Sequence, residues 1–216
     1  MKTSSGCRKP ATKAVIFDAF GTLLRIGARK QPYLQLMRLA REAGRPPHAD
    51  DARTLMTQEL GLAAAAERFQ TPLPMSSLAE LERDLLEELS SVTLYPDALP
   101  AINMLREAGI RVAVCSNLAA PYAVPVKLLL PTLDAYCWSF NVGAIKPEPA
   151  IYQHVAHQLA CSPSSLSMIG DTLDADCLGP RRCGIRGYHL CRQGEAAEDA
   201  FSDLITFARL VVSTTE

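Results

Sequence analysis

The chain has 216 residues, of which 48% are apolar and 21% are charged, a balance typical of a globular protein with a substantial buried core. Its formal net charge of −1 gives no reason to expect nucleic acid or an anionic membrane surface as a partner. The longest apolar runs, such as 62–66 and 128–130, are far too short to cross a bilayer.

The N-terminal segment and the cysteines indicate the setting in which the chain folds. Residues 1–12 are predicted to form a disordered tail, because they carry basic residues but no apolar segment of the signal-peptide kind. The seven cysteines form no CxxC pair, which favours reduced, mostly buried thiols in a cytoplasmic protein over a disulfide or zinc framework. Cys115 lies inside an apolar run and is expected to fill core space rather than to react.

The first predicted strand is followed by a long helical segment. The β-branched run 13–17 is typical of a buried strand. Helices are then predicted at 31–43, at 49–70 with a break at Gly61 left open, and at 77–90. Residues 26–94 are therefore predicted to be an inserted helical domain. An insertion at this point lies beside the crevice where open α/β sheets bind ligands, where it can act as a lid.

The remainder of the chain alternates strands with helices. Strands are predicted at 110–116, 136–140, 165–170 and 185–190. Helices are predicted at 96–109, 148–160 and 173–184, the last interrupted by Pro180. This alternation predicts an α/β core domain, residues 13–25 and 95–216, with a mainly parallel sheet in a Rossmann-like three-layer arrangement.

Polar side chains occur at the predicted carboxyl ends of these strands. They are Asp18, Ser116 with Asn117, Lys146 and Asp171. Each has an ordinary structural explanation, such as a helix cap, a turn residue or a solvated charge. Because the ends of parallel strands share one edge of the sheet, the four positions together favour a reactive site there.

Four segments carry a resemblance to one enzyme superfamily. They are VIFDAFGTLL, LYPDALPAINMLREAGIRVAVCSN, GAIKPEPAIY and MIGDTLDADCLGPRRCG. In this order they resemble the haloacid dehalogenase superfamily, in the branch that carries a helical-bundle cap after the first strand. The resemblance spans nearly all of the core, whereas the cap carries no matching motif.

The resemblance implies a role for each matching residue. Asp18 would be the nucleophile, which forms a covalent intermediate that water then cleaves. Lys146 would hold the negative charges of nucleophile and substrate together. Hydrogen bonds to Asp18 or to the transferred group would come from Thr22, Ser116 and Asn117.

The resemblance also implies a magnesium site. In the phosphatases of the superfamily Mg²⁺ is held by acids that correspond to Asp18, Asp171 and Asp176, with the backbone carbonyl of Phe20 as a further ligand, and oxygen ligands of this kind suit a small hard cation. Asp171 is the stronger candidate. Asp176 lies one turn into the predicted helix and could instead face solvent or order its neighbours.

Phe20 is a departure from the phosphatase pattern. Typical phosphatases of the superfamily have a second Asp there, which protonates the leaving alcohol, and such acid–base help contributes about 10²–10⁴-fold. The stretch DAFGT instead resembles the carbon–halogen-cleaving branch, whose halide leaves without a proton. Tyr152 also lies where that branch has a functional Tyr, although an ordinary core position explains it equally well. Asp171 points the other way, because two neighbouring carboxylates favour a bound cation.

Three functions follow from this mixture. The first is a Mg²⁺-dependent phosphatase acting on a small phosphorylated metabolite. The second is a metal-independent 2-haloacid dehalogenase, which would need a cap arginine; the candidates are Arg29, Arg38, Arg41 and Arg45. The third is a catalytically weakened member that binds a ligand or partner through its cap. A phosphonate-cleaving activity with a cap lysine is disfavoured, because Lys30 lies too close to the start of the cap. The sequence does not predict an oligomeric state.

Overall fold

The computed structural model describes residues 11–193 and 200–214, and its centre is a six-stranded sheet in which every pairing is parallel. The strands of the chain are β1 (Ala14–Phe17), β2 (Leu24–Ile26), β3 (Val92–Leu94), β4 (Arg111–Ser116), β5 (Ala135–Trp138), β6 (Leu166–Gly170), β7 (Arg186–Leu190) and β8 (Ala200–Phe201). The order across the sheet is β5-β4-β1-β6-β7-β8. The predicted α/β fold with a mainly parallel sheet is confirmed.

Helices cover both faces of the sheet. The helices of the chain are α1 (Pro32–Glu42), α2 (Asp51–Thr57), α3 (Leu62–Arg68), α4 (Met75–Ser90), α5 (Ala98–Glu107), α6 (Ala123–Leu129), α7 (Ser139–Val142), α8 (Pro149–Gln158), α9 (Gly179–Arg182) and α10 (Leu204–Ser213). Helices α5 and α10 share one apolar cluster with β1, whereas α8 packs in a second cluster on the other face. Strand β1 is thus buried on both sides, as its continuous apolar sequence requires.

The region between the first strand and α5 contains the strand pair β2 and β3, which we call the neck, and between these strands the helices α1 to α4, which we call the cap. Strands β2 and β3 pair antiparallel where no strand was predicted, since three residues each are too few to show a period. Helices α1, α3 and α4 share an apolar cluster with Leu55 of α2 and with Ala119 of the segment after β4, and we propose that the neck marks the boundaries of the predicted cap domain, residues 26–94. The cap rests on the core, with α2 against α7 and α4 against α6.

Three predicted elements differ from the structure in detail. The helix predicted at 49–70 is broken into α2 and α3, and Gly61 is the residue before α3. The strand predicted at 136–140 ends at Trp138, where α7 begins. The helix predicted at 173–184 is a π-helical turn, Leu173–Leu178, followed by the short α9.

The predicted tail is described only at its end. Residues 1–10 lie outside the described residues, but Thr12 is buried and bonds through its hydroxyl to Ser167 and Arg186. Cys115 is fully buried in β4, as expected. Across 11–193 and 200–214, no helix combines the length and apolar character needed to cross a membrane.

Candidate active site

A cleft of about 360 Å³ lies at the carboxyl edge of the sheet. Six of the predicted site residues line it: Asp18, Phe20, Ser116, Asn117, Lys146 and Asp171. The other two, Thr22 and Asp176, are fully buried. The sheet brings these groups together because β1, β4 and β6 are adjacent and point the same way.

Lys146 forms the centre of a buried ion cluster. Its Nζ lies 2.7 Å from Oδ1 of Asp18 and 2.6 Å from Oδ1 of Asp176. The hydroxyl of Ser116 donates to the same Asp18 oxygen at 3.1 Å, which is the contact predicted from the sequence. No described residue donates a hydrogen bond to Oδ2 of Asp18, so this oxygen is available to an electrophile or a cation.

The electrostatics of the cluster are dominated by burial and by excess negative charge. Burial, together with the charge of Asp176, raises the pKa of Asp18 to about 6 although Lys146 lowers it. Burial also raises the pKa of Asp171, again with help from Asp176. For Lys146, burial lowers the pKa, but the charges of Asp18 and Asp176 outweigh this effect and hold it above its usual value. The lysine therefore stays protonated.

Three carboxylates converge where the metal site was predicted. Asp18, Asp171 and Asp176 each offer an oxygen within 4.8 Å of the other two. Glycines leave the space that this requires: a Cβ on Gly21 would lie 2.1 Å from Oδ2 of Asp171, and one on Gly170 would lie 2.3 Å from Oδ2 of Asp176. The backbone at Gly21 is also left-handed, with φ of +90°. A set of carboxylate oxygens in a cradle of this size fits a divalent cation.

The two acids of the later loop differ in how they are held. Asp176 does not face solvent, which was one sequence-based alternative for it: it is fully buried, and its Oδ2 accepts from the backbone N–H of Thr172 at 3.0 Å. The π-helical turn directs it inward. Asp171 is exposed at the cleft and has a weaker contact, 3.4 Å from the hydroxyl of Thr172. Asp171 is therefore the acid more accessible to a metal ion.

Two predicted hydrogen-bond donors do not contact Asp18. The Nδ2 group of Asn117 donates a hydrogen bond to the carbonyl oxygen of Lys146 at 2.9 Å, and its Oδ1 accepts one from the backbone N–H of Lys146 at 2.7 Å. Asn117 therefore positions the lysine. The hydroxyl of Thr22 is buried and has no hydrogen-bond partner among the residues of 11–193 and 200–214. The resemblance implied that Thr22 and Asn117 donate to Asp18 or to the transferred group. Neither side chain bonds to Asp18, and donation to a transferred group stays a prediction.

The tyrosine that resembled a dehalogenase residue has a structural contact. Tyr152 is buried, and its hydroxyl donates to the carbonyl of Ala175 at 2.5 Å. Gly179 leaves room for that hydroxyl, since a Cβ there would lie 2.4 Å from it. Tyr152 thus fixes the turn that carries Asp176 and makes no contact with Asp18.

Three residues were not singled out from the sequence: Tyr122 contacts Phe20 of the cleft, Asp174 lines the cleft, and Arg53 contacts the segment that follows Lys146. Phe20 packs edge-on against Tyr122, with ring centroids 5.9 Å apart and an interplanar angle of 89°. Arg53 of α2 forms an ion pair with Glu148, two residues after Lys146. Asp174 lines the cleft, and its position within GDTLDAD was the available signal for it.

Two basic cap residues considered from the sequence, Arg45 and Lys30, pair with acids inside the cap. Arg45 forms two hydrogen bonds with Asp51 inside the cap, at 2.8 and 2.6 Å. Lys30 pairs with Glu87 at 3.1 Å on the cap surface. Arg53, which was not among the four arginine candidates, is the cap cation that contacts the described core through a salt bridge.

Comparisons with known proteins show what the chain is similar to. A family model described as a haloacid dehalogenase-like hydrolase matches residues 12–184. Phosphatase MT3486 of Mycobacterium tuberculosis (strain CDC 1551 / Oshkosh) is 30% identical over 144 residues, which are 64% of this chain and 65%, just under two thirds, of that protein. (S)-2-haloacid dehalogenase 4A of Burkholderia cepacia is 27% identical over 213 residues, covering 89% of this chain and 88% of the dehalogenase. A crystal structure of a phosphatase of the same superfamily from Thermococcus onnurineus superposes with a TM-score of 0.64 at 23% identity, over 93% of this chain and 98% of the other.

Proposed function

The chain belongs to the haloacid dehalogenase-like hydrolase family, and we propose that within this family it is a Mg²⁺-dependent phosphatase of a small phosphorylated metabolite. The observation that carries the proposal is the convergence of Asp18, Asp171 and Asp176 within 4.8 Å. Lys146 is the one cation that contacts this cluster among the described residues. Three carboxylates, two of them buried, and one ammonium group leave an excess of negative charge, which a divalent cation would balance.

The residues present would hold the ion and the substrate in distinct ways. Asp18, Asp171 and Asp176, with the carbonyl of Phe20, would ligate Mg²⁺, which would neutralise charge on the phosphoryl oxygens. Lys146 and the hydroxyl of Ser116 hold Oδ1 of Asp18 in place. This leaves Oδ2 to face the incoming substrate. Asn117 keeps Lys146 in position through the two bonds to its backbone.

The reaction would proceed in two displacements at phosphorus. First, an oxygen of Asp18 forms a bond to phosphorus while the bond to the leaving oxygen breaks, and the electron pair stays with that oxygen. The leaving oxygen takes its proton from water, because Phe20 has none to give. Second, a water oxygen attacks the phosphorus of the aspartyl phosphate, its protons pass to solvent, and phosphate leaves with the Asp18 carboxylate restored.

A metal-independent 2-haloacid dehalogenase is the second candidate. Phe20 favours it, since a halide departs with its electron pair and needs no acid, and the match to a named dehalogenase spans most of both chains. Arg53 could meet the substrate carboxylate, but it is paired with Glu148. Asp171 counts against this function, because it adds negative charge where an anionic substrate would bind. The cytoplasmic location expected from the cysteines and the small-molecule substrate remain parts of the proposal.

A substrate screen with and without Mg²⁺ tests the two functions together. The expected result is phosphate release from phosphate esters that requires Mg²⁺ and is lost in Asp18→Asn and in Asp171→Asn. Asp50→Asn, which removes an exposed carboxylate in the cap, is the control for a change of charge alone. Halide release from 2-haloacids in the presence of a chelator, with no phosphate release, would reject the phosphatase and select the dehalogenase.

A further inference from the structure

A second cavity lies beside the active-site cleft, between the cap and the core. It has a volume of about 310 Å³, within the range of ~300–1,000 Å³ that ligand pockets occupy. Its walls come from α1 and α2 of the cap and from the segment that follows β4, and the lining includes Tyr33, Leu34, Leu55, Met56, Ala119 and Tyr122. A dry apolar cavity of about 150 Å³ already holds benzene.

Aromatic contacts connect this cavity to the reacting centre. Phe20 lines the cleft together with Asp18. The ring of Phe20 meets the ring of Tyr122, which lines the cavity and lies 6.3 Å from the ring of Tyr33. Ala119 of the cavity also follows Asn117 of the cleft by two residues. The contact between the Phe20 and Tyr122 rings therefore joins the wall of the cleft to the wall of the cavity.

The buried polar groups of the cavity wall are already engaged. Glu88 accepts from the hydroxyl of Tyr122 at 2.8 Å, and its other oxygen accepts from the backbone N–H groups of Lys30 and Gln31 at 2.5 and 2.6 Å. The hydroxyl of Tyr33 donates to the carbonyl of Leu60 at 2.8 Å. A ligand with several hydroxyl groups would lose its hydrogen bonds to water on entering this cavity and would find no equivalent hydrogen-bond partners in the wall, which is unfavourable. The wall favours an apolar group.

The chemistry at Phe20 points to the same class of ligand. Without an acid at this position, the leaving oxygen must depart as an anion. A phenolic oxygen has a pKa near 10, whereas water, whose pKa is about 15.7, is the nearer guide to an aliphatic alcohol. An aryloxide is therefore much the better leaving group. Aromatic leaving groups also pack well against aromatic side chains.

On the basis of the proposed phosphatase function, we infer that the substrate is an aryl phosphate monoester whose ring occupies the cavity bounded by Tyr33, Leu55 and Tyr122. The P–O(aryl) bond breaks as Asp18 bonds to phosphorus, and the electron pair goes to the aryl oxygen, which then takes a proton from water. Because an aryloxide can leave without a proton, this substrate does not require an acid at the position of Phe20.

The test uses three substrates in Mg²⁺ buffer. Phenyl phosphate carries the aromatic group, glycerol phosphate has an alkyl leaving group with hydroxyls, and acetyl phosphate is small with a leaving group that needs no proton. The kcat/KM for phenyl phosphate is expected to exceed that for glycerol phosphate by at least about 100-fold, the lower range of the missing acid catalysis.

Two alanine variants test the cavity itself. Ala52 lines the cavity and Ala63 lines a different cavity of the cap, and both are exposed helix positions. Ala52→Phe should lower the ratio of kcat/KM for phenyl phosphate to that for acetyl phosphate by about tenfold or more. Ala63→Phe should leave this ratio unchanged. Turnover of acetyl phosphate shows that each variant is folded.

The outcomes separate this inference from the proposed function. If acetyl phosphate is hydrolysed but phenyl phosphate is not preferred over glycerol phosphate, or Ala52→Phe leaves the ratio unchanged, the aryl assignment is wrong and the phosphatase stands. If none of the three phosphates is hydrolysed, the proposed function itself fails.

Discussion

Asp18 in the core and Glu88 in the cap are both buried carboxylates, and the protein holds them in different ways. Glu88 is surrounded by a tyrosine hydroxyl and two backbone N–H groups, with no cation paired to it among the described residues. Asp18 shares one lysine with a second buried acid and lies close to a third. The first arrangement satisfies its charge through neutral hydrogen bonds, which suits a structural role.

The arrangement around Asp18 leaves negative charge unbalanced, and unbalanced charge of this kind favours the binding of a ligand. Burial raises the pKa of Asp18 to about 6, and such perturbed groups cluster where chemistry occurs. A protein tolerates this cost only where the surrounding fold enforces it. The contrast predicts that losing Asp18 harms activity, whereas losing Glu88 harms stability.

Replacing Asp18, the proposed nucleophile, should give the largest effect. Asp18→Asn is expected to lower kcat by at least about 10⁴-fold, since removal of a nucleophile abolishes the covalent route. Its melting temperature should be equal to or above that of the unchanged protein, because one charge of an over-negative cluster is removed. Steady-state assays and thermal melts measure the two quantities.

Glu88→Gln is the matched change in the cap. It keeps the shape of the side chain but weakens three hydrogen bonds at a buried position, so unfolding should become easier by about 1–3 kcal/mol. Turnover at saturating substrate should fall far less than in Asp18→Asn. The contrast between a carboxylate that serves activity and one that serves stability would be contradicted if Glu88→Gln inactivated the folded protein or if Asp18→Asn unfolded it.

Removal of the shared cation should give the next largest effect. Lys146→Met leaves Asp18 and Asp176 buried without their charge partner, a change that typically costs about 3–5 kcal/mol. Urea denaturation should show this loss. Adding Asp176→Asn should restore part of the stability, and a double variant no more stable than Lys146→Met alone would contradict the account of this cluster.

A glycine pair tests the space around the acidic loop. Gly21→Ala places a Cβ 2.1 Å from Oδ2 of Asp171 at a φ of +90°, whereas Gly109→Ala has a similar φ of +71° and nothing within 4 Å. Both should lose about 1 kcal/mol of stability from backbone strain. Only Gly21→Ala should also weaken Mg²⁺ binding, as measured by calorimetry, and equal Mg²⁺ affinity in the two variants would contradict this.

The pH dependence of stability should give the smallest effect. The pKa of Asp18 is about 6 in the folded protein, above the ordinary pKa of 3.8 for this side chain, so the folded state binds this proton more tightly than the unfolded chain does. The resulting stabilisation is complete below pH 3.8 and is lost as the pH rises through about 6. Relative to Asp18→Asn, the unchanged protein should lose stability over this window, and Mg²⁺ should offset the loss.

The sequence predicted the parts of the molecule that follow from local pattern and strand direction. Buried runs at β1, β4 and β6 located the strands, and their shared edge brought Asp18, Ser116 and Asp171 into one cleft. The positions of these three groups follow from parallel topology. Lys146 was predicted at a strand end but follows α7, so topology alone does not account for its place in the cleft.

What the sequence did not predict depends on contacts between distant segments. The two bonds from Asn117 to the backbone of Lys146 arise only when two loops meet. Tyr122 of the segment after β4 contacts Phe20, and Arg53 of the cap contacts Glu148, only in the folded chain, and their surroundings in the sequence carry no periodic signal. The inward direction of Asp176 requires a π-helical turn, which the pattern of this short acidic segment did not indicate.

The most direct test of the account is a search for the covalent intermediate. Protein turning over phenyl phosphate in Mg²⁺ is quenched in acid and digested, and the peptide that contains Asp18 is analysed by mass spectrometry. Because Phe20 cannot activate water, the aspartyl phosphate should accumulate and appear on Asp18. Phosphate found on another residue, or steady turnover with no modified peptide and an unaffected Asp18→Asn variant, would contradict the central claim.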